Sequence, residues 1–284
     1  MASSNPAFNR MEKDARSGYA DFRTGGQNPM QGAGASHAAT DQMTPQQLQE
    51  MYSAPSATRP GSDRVVTMDD VVMKTLALFS IVIVMGAIGW TVAAINPGLG
   101  FMLWMGGMFA TLGLGLVIAF KKTLSVPLII GYAVVEGVFV GAVSQFFEQR
   151  YGGIVAQAVL ATLAVFVGMF IAYKVGLIKV TAKFRRIVTM MIFGYAIFAL
   201  VNFGYAMLTG TMFGFGGSTW IGVAISLFAV GLASVTLALD FDMIERAIAT
   251  GAPQKYSWLL AHGLIVTLVW LYIEFLRLFA RLRE

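Results

Sequence analysis

The chain has 284 residues, of which 57% are hydrophobic and 12% charged, with a formal net charge of +5 and a mean hydropathy of +0.69. This composition is far from that of an average soluble domain and indicates an integral membrane protein. Because the chain has no cysteine and two histidines, it excludes disulfides, thiolate metal sites and multi-histidine metal clusters. We interpret the excess of Lys and Arg as a mark of cytoplasmic loops and expect no nucleic-acid partner.

The N-terminal segment has the composition of a disordered tail. Residues 1–66 are rich in Gly, Ser, Ala, Gln, Asn and Pro and lack the large apolar residues that build a core. No apolar stretch follows the first basic residue, so we expect no secretory signal peptide. Thr44-Pro45-Gln46-Gln47 has the form of a capping box and predicts one short helix. The predicted domains are this cytoplasmic tail, 1–66, and a membrane domain, 67–284.

The membrane domain contains apolar segments long enough to cross a bilayer. A hydrocarbon core of about 30 Å requires about 20 helical residues. Seven segments meet this length: 71–95, 101–120, 126–147, 153–173, 187–208, 219–240 and 258–279. Their period is helical, without the alternation of barrel strands, which predicts an all-α integral membrane protein with seven transmembrane helices. Thr67, followed by Asp69 and Asp70, is predicted to cap the first of them.

Basic residues predict the orientation of these spans. On one side lie the tail, Lys121, Lys122, Lys174, Lys179, Lys183, Arg185, Arg186, Arg246 and Lys255, whereas the opposite loops carry Arg150. We therefore expect a multi-pass protein with a cytoplasmic N-terminus. The outer end of the last segment departs from this pattern because it carries Arg277, Arg281 and Arg283. A re-entrant or interfacial last segment is the alternative to a full span.

Ionisable side chains within membrane spans are unfavourable and therefore mark candidate sites. Glu136 lies near the middle of the third span and is expected to face other helices. Gly137 and Gly141, one turn apart, would let a neighbouring helix approach closely at this level. Two interpretations stay open for Glu136: a protonated acid that donates one interhelical hydrogen bond, or a group that binds an ion or a proton.

Two aspartates stand at the predicted end of the sixth span. Asp240 and Asp242 are two residues apart, about 200° around a helix, so both cannot point at one ion. Thr236, one turn before Asp240, favours Asp240 as the interior group and leaves Asp242 at the cytosolic surface. The alternative is that both are solvated charges that end the helix.

The seventh span carries a polar stripe on an apolar helix. Its members recur at three- and four-residue steps: Thr267, Trp270, Glu274, Arg277 and Arg281. Glu274 and Arg277 are spaced so that they can pair with each other. Alternatively, the stripe faces the bundle axis and meets Asp240.

A catalytic interpretation is much weaker. The sequence GGST at 216–219, with His262 on a later span, offers a serine and a histidine, but it lacks the context of a nucleophile loop. We therefore expect no enzyme activity.

The segments LALDFDMIE and WLYIEFLRLF together resemble the paired signature of the Bax inhibitor-1 family of transmembrane proteins, which includes bacterial YccA-like members. In that family an aspartate, Phe and a polar residue end the sixth span, as in Asp240-Phe241-Asp242, and the seventh span carries an acid after Leu-Tyr, here Glu274. The resemblance covers residues 71–282 and implies six helices around a central seventh, in a bacterial plasma membrane.

The resemblance also implies a function, a pH-sensitive calcium leak controlled by two acids that share a hydrogen bond. By motif these are Asp240 and Glu274, which would line a Ca²⁺ pathway. In a poorly solvated site, repulsion and desolvation favour one shared proton, and its loss at higher pH would open a path for an oxygen-seeking cation. Arg277 opposes this because a cation favours ionised carboxylates, and Glu136 is a further candidate for pH sensing. Ca²⁺ is expected as the permeant ion, with no cofactor.

Two other functions are compatible with the sequence. The first is a non-transporting regulator of a membrane protease or of a stress response, which would use the tail to contact its partner. The second is a proton-coupled transporter that depends on Glu136.

Overall fold

The computed structural model describes residues 64–121 and 123–284. Seven helices make up nearly all of this part: α1 (Met68–Ile95), α2 (Pro97–Phe120), α3 (Val126–Arg150), α4 (Ile154–Lys174), α5 (Ala182–Thr209), α6 (Trp220–Ala249) and α7 (Tyr256–Arg283). Each is long and apolar enough to cross a membrane. The predicted all-α membrane fold is therefore confirmed. The helix predicted at Thr44 lies outside the described residues.

Local sequence signals set the helix ends. The hydroxyl of Thr67 accepts from the backbone N–H of Asp70, whose side chain accepts from the N–H of Thr67, so the predicted cap of α1 is confirmed. Asn96 ends α1 and also caps α2, which makes the first connection a single residue. In contrast, α6 does not end at its aspartates. It continues to Ala249, and the chain then turns at Gly251 with a positive φ of 66°.

The seventh helix lies at the centre of the bundle, as predicted. In α7, 61% of the most apolar stretch is buried within the protein, compared with 6% in α2. Helices α1, α3, α4 and α6 pack directly against α7, whereas α2 packs on α1 and α3, and α5 packs on α6. The central position explains why α7 carries polar groups, since they face other helices and not lipid.

Glycines bring α1 and α3 into backbone contact. A Cβ atom on Gly137 would lie 2.7 Å from the carbonyl oxygen of Val82, and one on Gly141 would overlap the carbonyl oxygen of Gly86. The close approach predicted for Gly137 and Gly141 is therefore confirmed, and α1 is the helix that approaches.

The arginines near the C-terminal end of α7 donate to carbonyl groups of neighbouring loops and of the first turn of α6. Arg281 is 3% exposed and donates to the carbonyl oxygens of Phe213 and Gly222. Arg283 donates to the carbonyl oxygen of Tyr151 at 2.5 Å. Because α7 is one continuous helix of 28 residues, it does not fold back as a re-entrant segment would. The charges that departed from the loop pattern thus serve as hydrogen-bond donors.

The last residues of the predicted tail belong to the folded part. Val65 forms an antiparallel bridge with Pro253, and Val66 is 1% exposed. The N–H of Val66 donates to the carbonyl oxygen of Ala252 at 2.8 Å, and the N–H of Gln254 donates to the carbonyl oxygen of Arg64 at 2.6 Å. We call this pairing of residues 64–66 with residues 252–254 the clasp. It fixes the chain before α1 to the loop between α6 and α7.

Candidate functional site

Asp240 is buried in α6 and faces the central helix. Asp240 is 9% exposed, and its Oδ2 has no hydrogen-bond partner among the described residues. Oδ1 lies 4.0 Å from the position that a Cβ atom on Gly263 of α7 would occupy. Thr267, one turn further along α7, also lies beside the carboxyl group. The predicted interior position of Asp240 is therefore confirmed.

Asp242 is buried as well, which differs from the surface position predicted for it. It is 8% exposed, and its Oδ2 accepts from Arg185 of α5 and from Arg246, each at 2.8 Å. The angular argument holds, because the two aspartates point to different neighbours. The prediction missed the two cations, which balance the charge of Asp242 in a partly buried position.

Glu136 lies inside the bundle and is 4% exposed. Tyr132, one turn earlier on α3, donates to its Oε1 at 2.9 Å, while Oε2 has no partner in the described part of the chain. The hydrogen bond is thus within one helix and not between helices as one interpretation expected. The Tyr132 ring meets His262 of α7 edge to face, with centroids 4.5 Å apart.

Asp240 and Glu136 approach α7 from two helices at nearly the same height. Tyr132 contacts His262 and, further along, Ser144 contacts Tyr272 at 2.7 Å, so α3 and α7 run in the same direction. Glu136, four residues or about 6 Å beyond Tyr132, therefore lies at the level of the turn that holds Thr267. Two buried carboxyl groups, each with one oxygen unsatisfied by described residues, thus lie at the height of one turn of the central helix.

Glu274 belongs to a second polar group nearer the C-terminal end of α7. It is 3% exposed, and its Oε1 accepts from Tyr195 of α5 at 2.5 Å, from Trp270 at 3.3 Å and from Arg277 at 3.4 Å. The rings of Tyr195 and Trp270 stack with centroids 5.7 Å apart. The local pairing of Glu274 with Arg277, one of the two alternatives, is what the structure shows.

The structure does not bring Asp240 and Glu274 together. Thr267 faces Asp240, and Glu274 comes seven residues later, about 10 Å along the helix. The reason is the antiparallel packing of α6 and α7: Asp240 lies nine residues before the end of α6, whereas Glu274 lies 18 residues after the start of α7. The position opposite Asp240 carries a hydroxyl group and not a second acid.

His262 lies inside the bundle and far from the serine of residues 216–219. It is 8% exposed and packs on Tyr132. Residues 216–219 precede α6 and lie near Arg281, which is 19 residues or about 28 Å from His262 along α7. The structure therefore does not assemble a serine–histidine pair.

No group of three or more His, Cys, Asp or Glu side chains in the described residues could hold a metal ion. The predicted placement of Asp240 and Glu274 together along a Ca²⁺ pathway thus does not correspond to a chelating site in this part of the chain. Spacing in the sequence could have identified the missed partners, since Tyr132 precedes Glu136 by four residues and Arg246 follows Asp242 by four. No local pattern points to Tyr195, which comes from another helix.

Two comparisons relate the chain to known proteins. The model of a family described as "Bax inhibitor 1 like" matches residues 5–284, which includes most of the predicted tail. A protein of Chlamydia muridarum, described as uncharacterized, is 30% identical over 105 residues, which are 35% of this chain and 44% of that protein. The matched stretch thus spans less than half of the relative. With the family match extending over nearly the whole sequence, the chain belongs to the Bax inhibitor 1-like family of multi-spanning membrane proteins.

Proposed function

We propose that this protein is a pH-sensitive, calcium-permeable leak in which Asp240 and Glu136 are the groups that respond to pH. One observation carries the proposal: two buried carboxyl groups, each with an oxygen that no described residue satisfies, lie at the height of the same turn of the central helix. Asp242 and Glu274 differ from them because arginines balance their charge. We place the protein in a bacterial plasma membrane with its basic loops and N-terminus in the cytoplasm.

The physical basis is the free energy of a buried charge. A carboxyl group without a cationic partner is stable in a dry interior as the neutral acid, whereas its ionised form requires a counter-ion. At low pH, neutral Asp240 and Glu136 keep the bundle closed. At higher pH, the ionised acids draw a hard cation such as Ca²⁺, which prefers oxygen ligands, to this level of the bundle. Tyr132, which donates to Glu136, and His262, which contacts the Tyr132 ring, are further titratable side chains near this turn.

Glu274 and Arg277 have a different role in this proposal. Their charges cancel, and Tyr195 and Trp270 add hydrogen bonds to the carboxylate. The pair keeps the net charge near zero in the outer half of the proposed ion path. It therefore influences the rate of ion flux and not the pH at which the flux begins. Removing the acid would leave Arg277 uncompensated and repel cations.

Flux measurements in reconstituted vesicles test the proposal. Wild-type protein is expected to release trapped Ca²⁺ faster as the pH rises. Asp240→Asn is permanently neutral, so its flux is expected to stay at the low-pH level and to lose its pH dependence. Glu136→Gln is expected to lower the flux at high pH. Glu274→Gln is expected to lower the flux at every pH without moving the midpoint.

Asp242→Asn is the matched control, because it removes a neighbouring buried carboxylate that already has two cationic partners. It is expected to lower stability but to keep the pH dependence of the flux. The proposal fails if Asp240→Asn retains the wild-type pH profile, or if His262→Gln abolishes that profile while Asp240→Asn does not.

A second candidate function is regulation of another membrane protein through the tail. The clasp favours it, since residues 64–66 hold the end of the tail against the loop that leads into α7. A partner that pulls on the tail would therefore act directly on the central helix.

Deletion of residues 2–63 separates the two functions because it leaves the clasp intact. The leak predicts unchanged, pH-dependent Ca²⁺ flux in the shortened protein. The regulator predicts loss of a partner, such as a membrane protease, from cross-linked complexes in native membranes. Loss of flux together with retention of every partner would contradict both.

A further inference from the structure

A cleft of about 880 Å³ runs between α1 and α4. Its walls extend from Met68 to Thr91 on α1 and from Val155 to Lys174 on α4, which is nearly the whole length of both helices. Leu264, Leu268 and Tyr272 of the central helix form part of its floor. The volume lies within the range of about 300–1,000 Å³ that is usual for ligand sites.

The walls of the cleft are apolar and turned towards the bilayer. Val72 and Ile83 of α1 are 46% and 57% exposed, and Leu163 of α4 is 48% exposed. In a membrane such surfaces meet hydrocarbon and not water. A gap of this kind therefore contains acyl chains or another apolar segment.

The direction and length of the cleft suit an acyl chain. The wall from Met68 to Thr91 is about 35 Å long at 1.5 Å per residue, close to the thickness of a hydrocarbon core. The cleft therefore runs in the direction in which acyl chains lie in a bilayer.

Polar groups occur where α1 begins and α4 ends. Exposed Lys174 and exposed Glu245 both line this end, and the hydroxyl of Tyr173 donates to Glu245. Thr75, two turns into α1, also lines the cleft, and its hydroxyl has no hydrogen-bond partner in the described part of the chain.

We propose that the cleft binds one phospholipid with an ethanolamine-type head group. An acyl chain lies along the cleft, the phosphate meets Lys174, and the ammonium group meets Glu245. One cation and one carboxylate at the same end match a head group that carries one negative and one positive charge. This lipid site does not depend on ion permeation.

The lipid bound to the full-length protein identifies the occupant. The protein is reconstituted in nanodiscs of equal parts phosphatidylethanolamine and phosphatidylglycerol, released into mild detergent and analysed by native mass spectrometry. We expect one retained phospholipid per chain, with phosphatidylethanolamine enriched at least about fivefold. Ala87→Trp narrows the cleft from its lipid-facing wall and is expected to reduce retention at least about fivefold. Val84→Trp is the matched control, since Val84 is 59% exposed but does not line the cleft.

Charge variants test the head-group assignment. Glu245→Gln is expected to remove the preference for phosphatidylethanolamine, and Lys174→Gln to weaken retention of both lipids. Lys179→Gln changes an exposed lysine outside the cleft and should behave as wild type.

The proposal is overturned if Ala87→Trp and Val84→Trp retain the same lipid. A preference of the wild type for phosphatidylglycerol, or no preference, overturns the head-group assignment. A peptide or a second copy of the chain retained in place of lipid overturns the choice of occupant.

Discussion

Gly141→Val is expected to force α1 and α3 apart and to lower the free energy of unfolding by about 3 kcal/mol or more. A side chain on Gly141 would overlap the carbonyl oxygen of Gly86 and lie within 2.8 Å of the N–H nitrogen of Trp90. Both atoms belong to a helix backbone, so no rotamer change relieves the overlap. For a membrane domain of this size, the loss corresponds to a fall in Tm of about 10 °C in a thermal scan of the purified protein.

Gly131→Ala is the matched control because it lies on the same helix and no atom lies within 4 Å of the added methyl group. Alanine favours the helix by up to about 1 kcal/mol over glycine. The control is therefore expected to leave Tm unchanged or to raise it slightly. If Gly141→Val and Gly131→Ala have the same Tm, the backbone contact between α1 and α3 does not stabilise their packing.

Arg281→Met is expected to destabilise the fold by about 2–4 kcal/mol. The guanidinium of Arg281 donates to the carbonyl oxygens of Phe213 and Gly222. The substitution removes this buried donor from both acceptors. Methionine keeps most of the volume, so the change isolates the hydrogen bonds. We expect a fall in Tm together with faster proteolysis in the loop between α5 and α6.

The matched control is Arg283→Met, two residues along the same helix. Arg283 also donates to carbonyl groups, those of Tyr151 and Gly152, but it is exposed. Water replaces the lost donor there, so the expected effect is below about 1 kcal/mol. Equal loss of stability in both variants would show that burial of Arg281 does not matter.

Features that depend on a single helix could be predicted from the sequence. Apolar length identified the seven spans, and the capping pattern at Thr67 identified the start of the first. Glycine spacing at Gly137 and Gly141 identified a close helix contact. The predicted end of α6 was the main error. Charged residues do not end a helix whose backbone can continue into water, so α6 continues past its aspartates until the turn at Gly251 ends it.

Features of the site that join different helices could not be predicted in the same way. The angle between Asp240 and Asp242 correctly separated their directions, but nothing local indicated that Arg185 of α5 would meet Asp242. The pairing of Asp240 with Glu274 depended on the relative height of two antiparallel helices. The relative height of Asp240 and Glu274 depends on how far α6 and α7 extend beyond their apolar segments. Hydropathy alone underestimates the lengths of both helices.

The clasp and the buried Arg281 together limit how this bundle can move. The clasp holds the loop that enters α7, and Arg281 holds the far end of α7 to the start of α6 and to the loop before it. A helix anchored at both ends cannot slide along its axis like a piston. Opening therefore requires sideways displacement of the outer helices, and α2, which packs mainly on α1 and α3, has the most freedom to swing.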